Sequence, residues 1–211
     1  MIIKKGSKIL FQGDSITDSG RDRENDTLGF GYVNYISAFF QSMYPEHGCT
    51  FINRGISGNR SSDLCERWTR DCIDLRPDVL SIMIGINDTW RKFDSNDPTT
   101  DQEFYDNYRQ ILSRTADELG DIPIIMLEPF VLPHPEDRLL WREDLDPKIQ
   151  RTRQLAREFG AIYIPLDGIF AQKCTHVSPA FWAADGVHPT SAGHALIARL
   201  WLKAITGVDI Y

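Results

Sequence analysis

Val79-Leu80-Ser81-Ile82-Met83-Ile84 is apolar except for Ser81 and carries no charge. A strand with one face in water alternates apolar and polar side chains, so this run reads as a strand covered on both faces. Sheets covered in that way are built from parallel strands joined by crossover helices, and the sequence on either side has the same rhythm. Short apolar, β-branched runs fall at Lys8 to Phe11, Thr50 to Asn53, Ile122 to Leu127 and Ala161 to Pro165. Amphipathic stretches at Tyr32 to Met43, Ser61 to Leu75, Asp101 to Leu119 and Pro147 to Phe159 lie between them, and Ser191 to Ile205 closes the chain. The expected fold class is α/β, with a parallel sheet in one domain over residues 1–211. Ligands of such sheets bind beyond the carboxyl ends of the strands, so chemistry is expected in the loops that follow strands.

A chain of 211 residues can bury a continuous core without disulfides or a structural metal, and 42% hydrophobic with 25% charged residues is an ordinary globular composition. The formal charge of -7 opposes polyanions, which argues against nucleic acid and anionic membrane surfaces as partners. Cys49, Cys65, Cys72 and Cys174 form no CxxC pair and have no histidine at metal-ligand spacing, so they read as buried thiols of a reducing compartment. Met1-Ile2-Ile3-Lys4-Lys5-Gly6 lacks the apolar stretch of a signal peptide, and no segment is long enough to span a bilayer. A cytoplasmic location is the expectation. One connection, Glu128 to Asp146, is too long for a turn; it is rich in proline and charge and carries His134 and Trp141. It reads as a wall of the site or as an extension toward a neighbouring copy in a homo-oligomer.

Directly after the first strand comes Gly13-Asp14-Ser15-Ile16-Thr17. A serine hydroxyl there faces the expected cleft, although Gly-Asp-Ser is also ordinary turn or helix-cap chemistry. A serine is a poor nucleophile unless a base takes its proton and an acceptor holds that base in the right tautomer. Asp185-Gly186-Val187-His188 places a carboxylate three residues before an imidazole, followed by Pro189, Thr190 and Ser191 at the entry to the last helix. Acyl transfer also needs donors for the developing oxyanion. Asn53-Arg54-Gly55-Ile56-Ser57-Gly58-Asn59 offers a glycine whose backbone N–H can approach a ligand closely and Gly85-Ile86-Asn87-Asp88 offers the Asn87 amide, though each alone also reads as a glycine turn. A nucleophile elbow, Gly-x-Ser-x-Gly, is absent; Gly55-Ile56-Ser57-Gly58-Asn59 comes nearest, with Asn59 where the last glycine is needed.

Serine after strand one, glycine after strand two, asparagine after strand three and Asp-x-x-His near the C-terminus together resemble the four signature blocks of the SGNH, or GDSL-type, hydrolases. The resemblance spans almost the whole chain. It implies a three-layer α/β/α sandwich, flavodoxin-like, with a five-stranded parallel sheet in the order 2-1-3-4-5. It implies Ser15 as nucleophile, His188 as general base then acid, and Asp185 as its orienting carboxylate. The Ser15 N–H, the Gly58 N–H and the Asn87 amide are the implied oxyanion hole, and neither metal nor organic cofactor is required.

Within that superfamily the blocks are most similar to carbohydrate O-acetylesterases of the intracellular bacterial acetylxylan esterase kind. That implies acetyl esters on xylo-oligosaccharides or related sugars as substrates. Asp14, Arg54, Asn59, Trp90, Arg91, Trp182 and His134 are the candidate substrate contacts, since sugars stack on aromatics and bind planar polar groups. Ala183-Ala184 stands where those esterases carry a tryptophan just before the triad aspartate, with Trp182 slightly earlier. A longer acyl substrate, as in a lysophospholipase, thioesterase or arylesterase, is the alternative. A metallohydrolase using Asp14, Asp185, His188 and His194 is disfavoured, because the two histidines are six apart with a proline between. His47, His176 and His194 read as structural.

Overall fold

The computed structural model describes residues 2–209. Five strands, β1 (Lys8–Gly13), β2 (Thr50–Asn53), β3 (Val79–Met83), β4 (Ile124–Leu127) and β5 (Ile162–Ile164), form one parallel sheet in the order β2-β1-β3-β4-β5. Leu10 pairs with Ile52 on one side and Leu80 on the other, and Met83 lies opposite both Gly13 and Leu127. The carboxyl ends of β1, β3 and β4 therefore finish side by side.

Alternation along each strand divides the core into two layers. Ile9, Phe11, Val79, Met83, Ile125 and Leu127 face α2 (Tyr32–Met43) and α9 (Ser191–Thr206), where Phe40, Trp201 and Leu202 are fully buried. Leu10, Leu80, Ile82, Ile124 and Met126 face α3 (Ser61–Trp68), α5 (Asp101–Leu119) and α6 (Arg142–Glu158), packing on Trp68, Phe104, Ile111 and Leu155. Each such side chain contributes about 1.5–3 kcal/mol by leaving water. Ser81, the polar residue of the opening run, is fully buried and accepts a hydrogen bond from Trp201 Nε1 at 3.1 Å. A sheet covered by helices on both faces is the α/β/α sandwich.

Several elements differ from the sequence reading. Helix α6 starts at Arg142, within the expected connection Glu128 to Asp146, and Glu136–Trp141 forms a 3-10 helix ahead of it. Pro147, which reads as a first helical residue, sits inside α6. The helix tolerates it one turn in because the Leu145, Ile149 and Thr152 face is buried on the core. Residues 69–73, expected as a continuation of one helix from Ser61, form a π-helical turn. Four short helices are absent from the sequence reading: α1 (Ser15–Asp18), α4 (Ile86–Asp94), α7 (Leu166–Cys174) and α8 (Pro179–Trp182). Gly85-Ile86-Asn87-Asp88 has turn composition, yet tertiary packing draws it into α4, where Phe93 stacks on Trp141 at 5.4 Å. Trp90, Arg91 and Trp182, expected on loops, accordingly lie on helices.

Candidate active site

Gly13 ends β1 and Ser15 is the first residue of α1, so the serine stands at the carboxyl edge of the sheet. Asp14 caps α1 by accepting from the Ile16 N–H at 3.0 Å. Its second oxygen, Oδ2, is buried without a hydrogen-bond partner among the described residues, and burial pushes the carboxyl up to about 7, with His188 opposing the shift and Asp88 adding to it. Asp14 is therefore a wholly internal carboxyl beside Ser15, in contact with no solvent from which a substrate would approach.

At the other end of the chain, residues 183–189 form a small hairpin closed by an antiparallel bridge between Ala183 and Pro189. It is fastened to α9: Thr190 caps the helix, its N–H donates to the Trp182 carbonyl at 2.8 Å, and its hydroxyl donates to the Phe181 carbonyl at 2.7 Å. Gly186 bends the hairpin with φ of 82°, and a side chain there would collide with the Leu132 carbonyl. Only glycine takes that conformation in that space without strain.

The hairpin carries His188 to Ser15. Ser15 Oγ lies 2.8 Å from His188 Nε2, and His188 Nδ1 lies 2.7 Å from Asp185 Oδ2. The second carboxylate oxygen of Asp185 accepts from the backbone N–H groups of His188 at 2.7 Å and Val187 at 3.0 Å. Burial pushes the Asp185 carboxyl up, but these bonds from His188 and Val187 outweigh it and hold the group well below the usual carboxylate range. The hydrogen bond to Asp185 in turn raises the His188 pKa above its ordinary 6.5, against the effect of partial burial. With side chains 46% and 40% exposed, His188 and Asp185 remain open to a ligand from solvent.

Two loops flank the serine. The loop after β2 is pressed onto the α1 backbone so closely that any side chain at Gly55 would strike Asp18. Ile56 N–H donates to the Gly13 carbonyl at 3.1 Å, setting the half-buried Gly58 two residues further on. The Ser57 N–H donates to Asp18 Oδ2 at 3.1 Å, so this second serine is turned toward α1. Asn87, on the first turn of α4, donates from Nδ2 to the Asn59 carbonyl at 3.1 Å, which fixes the amide and leaves its other hydrogen for a further acceptor. Asp88 anchors the same turn by accepting from the Ser61 N–H and hydroxyl, and burial pushes this carboxyl up to about 6.

The candidate substrate residues are divided by the structure. Trp90 lies with its ring 5.7 Å from that of His188 and packs on Trp141. Arg91 pairs with Asp94, and Arg54 with Asp26. Asn59 is held by Arg67 Nε at 2.8 Å, a supporting position within the loops. Trp182 packs edge-on against Phe181 and near Phe170, with its indole nitrogen buried and without a partner among the described residues. His134 is exposed on the segment that lies against Gly186. His194 accepts from the Tyr32 N–H at 3.1 Å through Nδ1, and burial lowers it to about 4, so it is a neutral structural imidazole. Among the described residues no three His, Cys, Asp or Glu side chains gather as metal ligands, and no helix is long and apolar enough to cross a membrane. Two residues that contact the site escaped the sequence reading: Arg67, which holds Asn59, and Arg138, whose Nε donates to the Asp185 carbonyl. Both are cations in charged surroundings, which read as solvated surface, and no local pattern distinguishes them.

Residues 11–196 match the GDSL-like Lipase/Acylhydrolase family, a span that runs from β1 through the hairpin into α9. An acetylxylan esterase of Geobacillus stearothermophilus is 38% identical over 212 residues, covering 97% of this chain and 96% of that protein. Among solved structures, a putative GDSL-like lipase from Parabacteroides merdae superimposes with a TM-score of 0.91 at 36% identity, over 96% of both chains. A catalytic mutant of the Geobacillus acetylxylan esterase superimposes with a TM-score of 0.89 at 35% identity, over 98% of this chain and 97% of that one. The chain therefore belongs to the GDSL-like lipase/acylhydrolase family and is a carboxylic ester hydrolase.

Proposed function

We propose that this protein is a serine esterase that removes acetyl groups from carbohydrates such as xylo-oligosaccharides. The observation that carries the reading is the continuous line from Ser15 Oγ through the His188 ring to Asp185, with contacts of 2.8 and 2.7 Å. The acetylxylan esterase relative supports the substrate class, and catalytic mutants of that esterase replace one serine, one aspartate and one histidine. The open setting of His188 and Asp185, beside the Trp90 ring, suits a bulky sugar alcohol as leaving group.

In this mechanism His188 Nε2 takes the Ser15 proton while Oγ attacks the acetyl carbonyl, forming a tetrahedral intermediate. The Ser15 N–H, the Gly58 N–H and the free Asn87 amide hydrogen receive the oxyanion. The imidazolium, stabilised by Asp185, gives its proton to the departing sugar oxygen, which leaves as the alcohol with acetyl bonded to Ser15. A water, deprotonated by His188, then attacks the acetyl-enzyme; acetate leaves and Oγ recovers the proton. No metal or organic cofactor enters these steps.

The testing experiment is acetate release from acetylated xylo-oligosaccharides, run beside a series of p-nitrophenyl esters of increasing chain length. Acetate release together with a fall in kcat/KM of about tenfold or more from acetate to longer acyl groups is expected. A maximum at long chains with no acetate from the sugars would instead favour a lysophospholipase, thioesterase or arylesterase. The acid limb of kcat/KM gives a second expectation. His188 must be neutral to act as base and its pKa is raised by Asp185, so activity rises with pH through a midpoint above 6.5 and then levels off. A pH–rate profile that is flat across the imidazole range would contradict His188 as the base.

A further inference from the structure

The hairpin that bears Asp185 and His188 is half exposed, yet the chemistry requires it to hold the imidazole to a fraction of an ångström in its position 2.8 Å from Ser15 Oγ. One side chain reaches its outer face from the segment after β4. Arg138, on the Glu136–Trp141 3-10 helix, donates from Nε to the Asp185 carbonyl at 3.1 Å, with its side chain only 14% exposed. Its guanidinium carbon lies 4.1 Å from the Trp141 ring centroid and 5.3 Å from that of Trp90. The two indoles pack on each other at 5.1 Å, and Trp90 lies against the His188 ring. A second tie, from the Leu132 N–H to the Gly186 carbonyl at 2.8 Å, joins the same segment to the hairpin. Trp90 also belongs to α4, the helix that presents Asn87. A planar, permanently charged group with an in-plane donor can face two π systems and a carbonyl together; an ammonium cannot.

We propose that Arg138 is a positioning residue for ester hydrolysis: it clamps the Asp185 backbone and the Trp90 ring together, keeping the His188 imidazole on line with Ser15. This rests on the Ser15–His188–Asp185 reading of the site. Charged and titratable groups facing the imidazole are Asp185 on its own hairpin, Asp14 behind Ser15 and His194 on α9. Loss of the clamp loosens the Asp185–His188 bond that raises the His188 pKa, so the acid limb moves to lower pH. Loss of a cation by itself would move it to higher pH, and a purely structural role would leave it in place.

The test compares wild type, Arg138→Met, Arg138→Lys and Ser15→Ala by the pH dependence of kcat and KM on p-nitrophenyl acetate. Arg138→Met is expected to lower kcat about 10- to 100-fold with KM within about twofold, and to shift the acid limb downward. Arg138→Lys keeps the charge without the planar fork and falls between; should Arg138→Met not fold, it carries the test by the same downward shift. An acid limb that stays in place or rises, or an unchanged kcat, overturns the proposal while Ser15→Ala remains inactive. Turnover by Ser15→Ala would instead overturn the reading on which it rests.

Discussion

Ser15→Ala is expected to lower kcat/KM for acetyl esters by about 10⁴-fold or more, with little change in fold or in substrate affinity. The hydroxyl is the only atom the substitution removes. It lies 2.8 Å from His188 Nε2, on a half-buried residue whose backbone is fixed between β1 and α1. The Gly58 N–H and Asn87 amide remain, so a weak background from oriented water and oxyanion stabilisation persists. Steady-state kinetics on p-nitrophenyl acetate, with thermal melting as the control for folding, measures this. Retention of a tenth or more of the activity would place the nucleophile elsewhere.

Arg67→Met is the largest expected loss of stability, about 3 kcal/mol, seen as a Tm lower by about 6–12 °C. Arg67 extends from α3 against the end of β1 and the loop after β2 and is almost fully enclosed, 7% exposed. Its Nη1 donates to Gln12 Oε1 at 2.8 Å and to the Arg54 carbonyl at 2.9 Å. Nη2 reaches the Gly13 carbonyl at 3.2 Å and Nε reaches Asn59 Oδ1 at 2.8 Å. Methionine fills comparable volume but leaves Gln12 Oε1, the Arg54 carbonyl and Asn59 Oδ1 without the Arg67 donors, while the Gly13 carbonyl keeps the Ile56 N–H. Arg67 Nη1 also pairs with Asp71 at 3.2 Å, and since Arg70 pairs with that carboxylate too, the figure stays at the low end of what breaking a buried ion pair costs. Since Asn59 also holds the Asn87 amide, the folded variant is expected to lose kcat as well. A Tm within about 2 °C of wild type would show that the Arg67 network is dispensable.

What the sequence made legible is bound to local pattern. The opening apolar run at Val79 announces a doubly covered strand, and the sheet order is the one the family resemblance implies; its first three blocks lie just beyond β1, β2 and β3, and the fourth on the hairpin ahead of α9. Asp185 and His188 were visible as a pair because three positions of a turn suffice to bring their side chains together. The short helices were not visible. Four residues in α1 or α8 cannot form a helix by propensity alone and exist through the packing around them. In α4, the composition Gly-Ile-Asn-Asp favours a turn, and the aromatic contacts of Trp90 and Phe93 with Trp141 come from residues some fifty positions away. The same distance hides Arg138 and Arg67, whose significance lies in what they are buried against. Of the candidate sugar contacts, Asn59 and Asp14 are drawn into supporting roles by hydrogen bonding and burial, and neither property has a signature in the residue type.

The proposed ester hydrolysis requires Ser15 Oγ to be the atom that attacks. Peptide mapping by mass spectrometry after treatment with a serine-directed fluorophosphonate tests it most directly, with His188→Ala treated in parallel. One adduct, on the peptide carrying Ser15, is expected in the native enzyme, with a rate that collapses in the variant. A fully inactivated enzyme bearing its label on Ser57 or any other residue, or a His188→Ala variant labelled as fast as wild type, would contradict it.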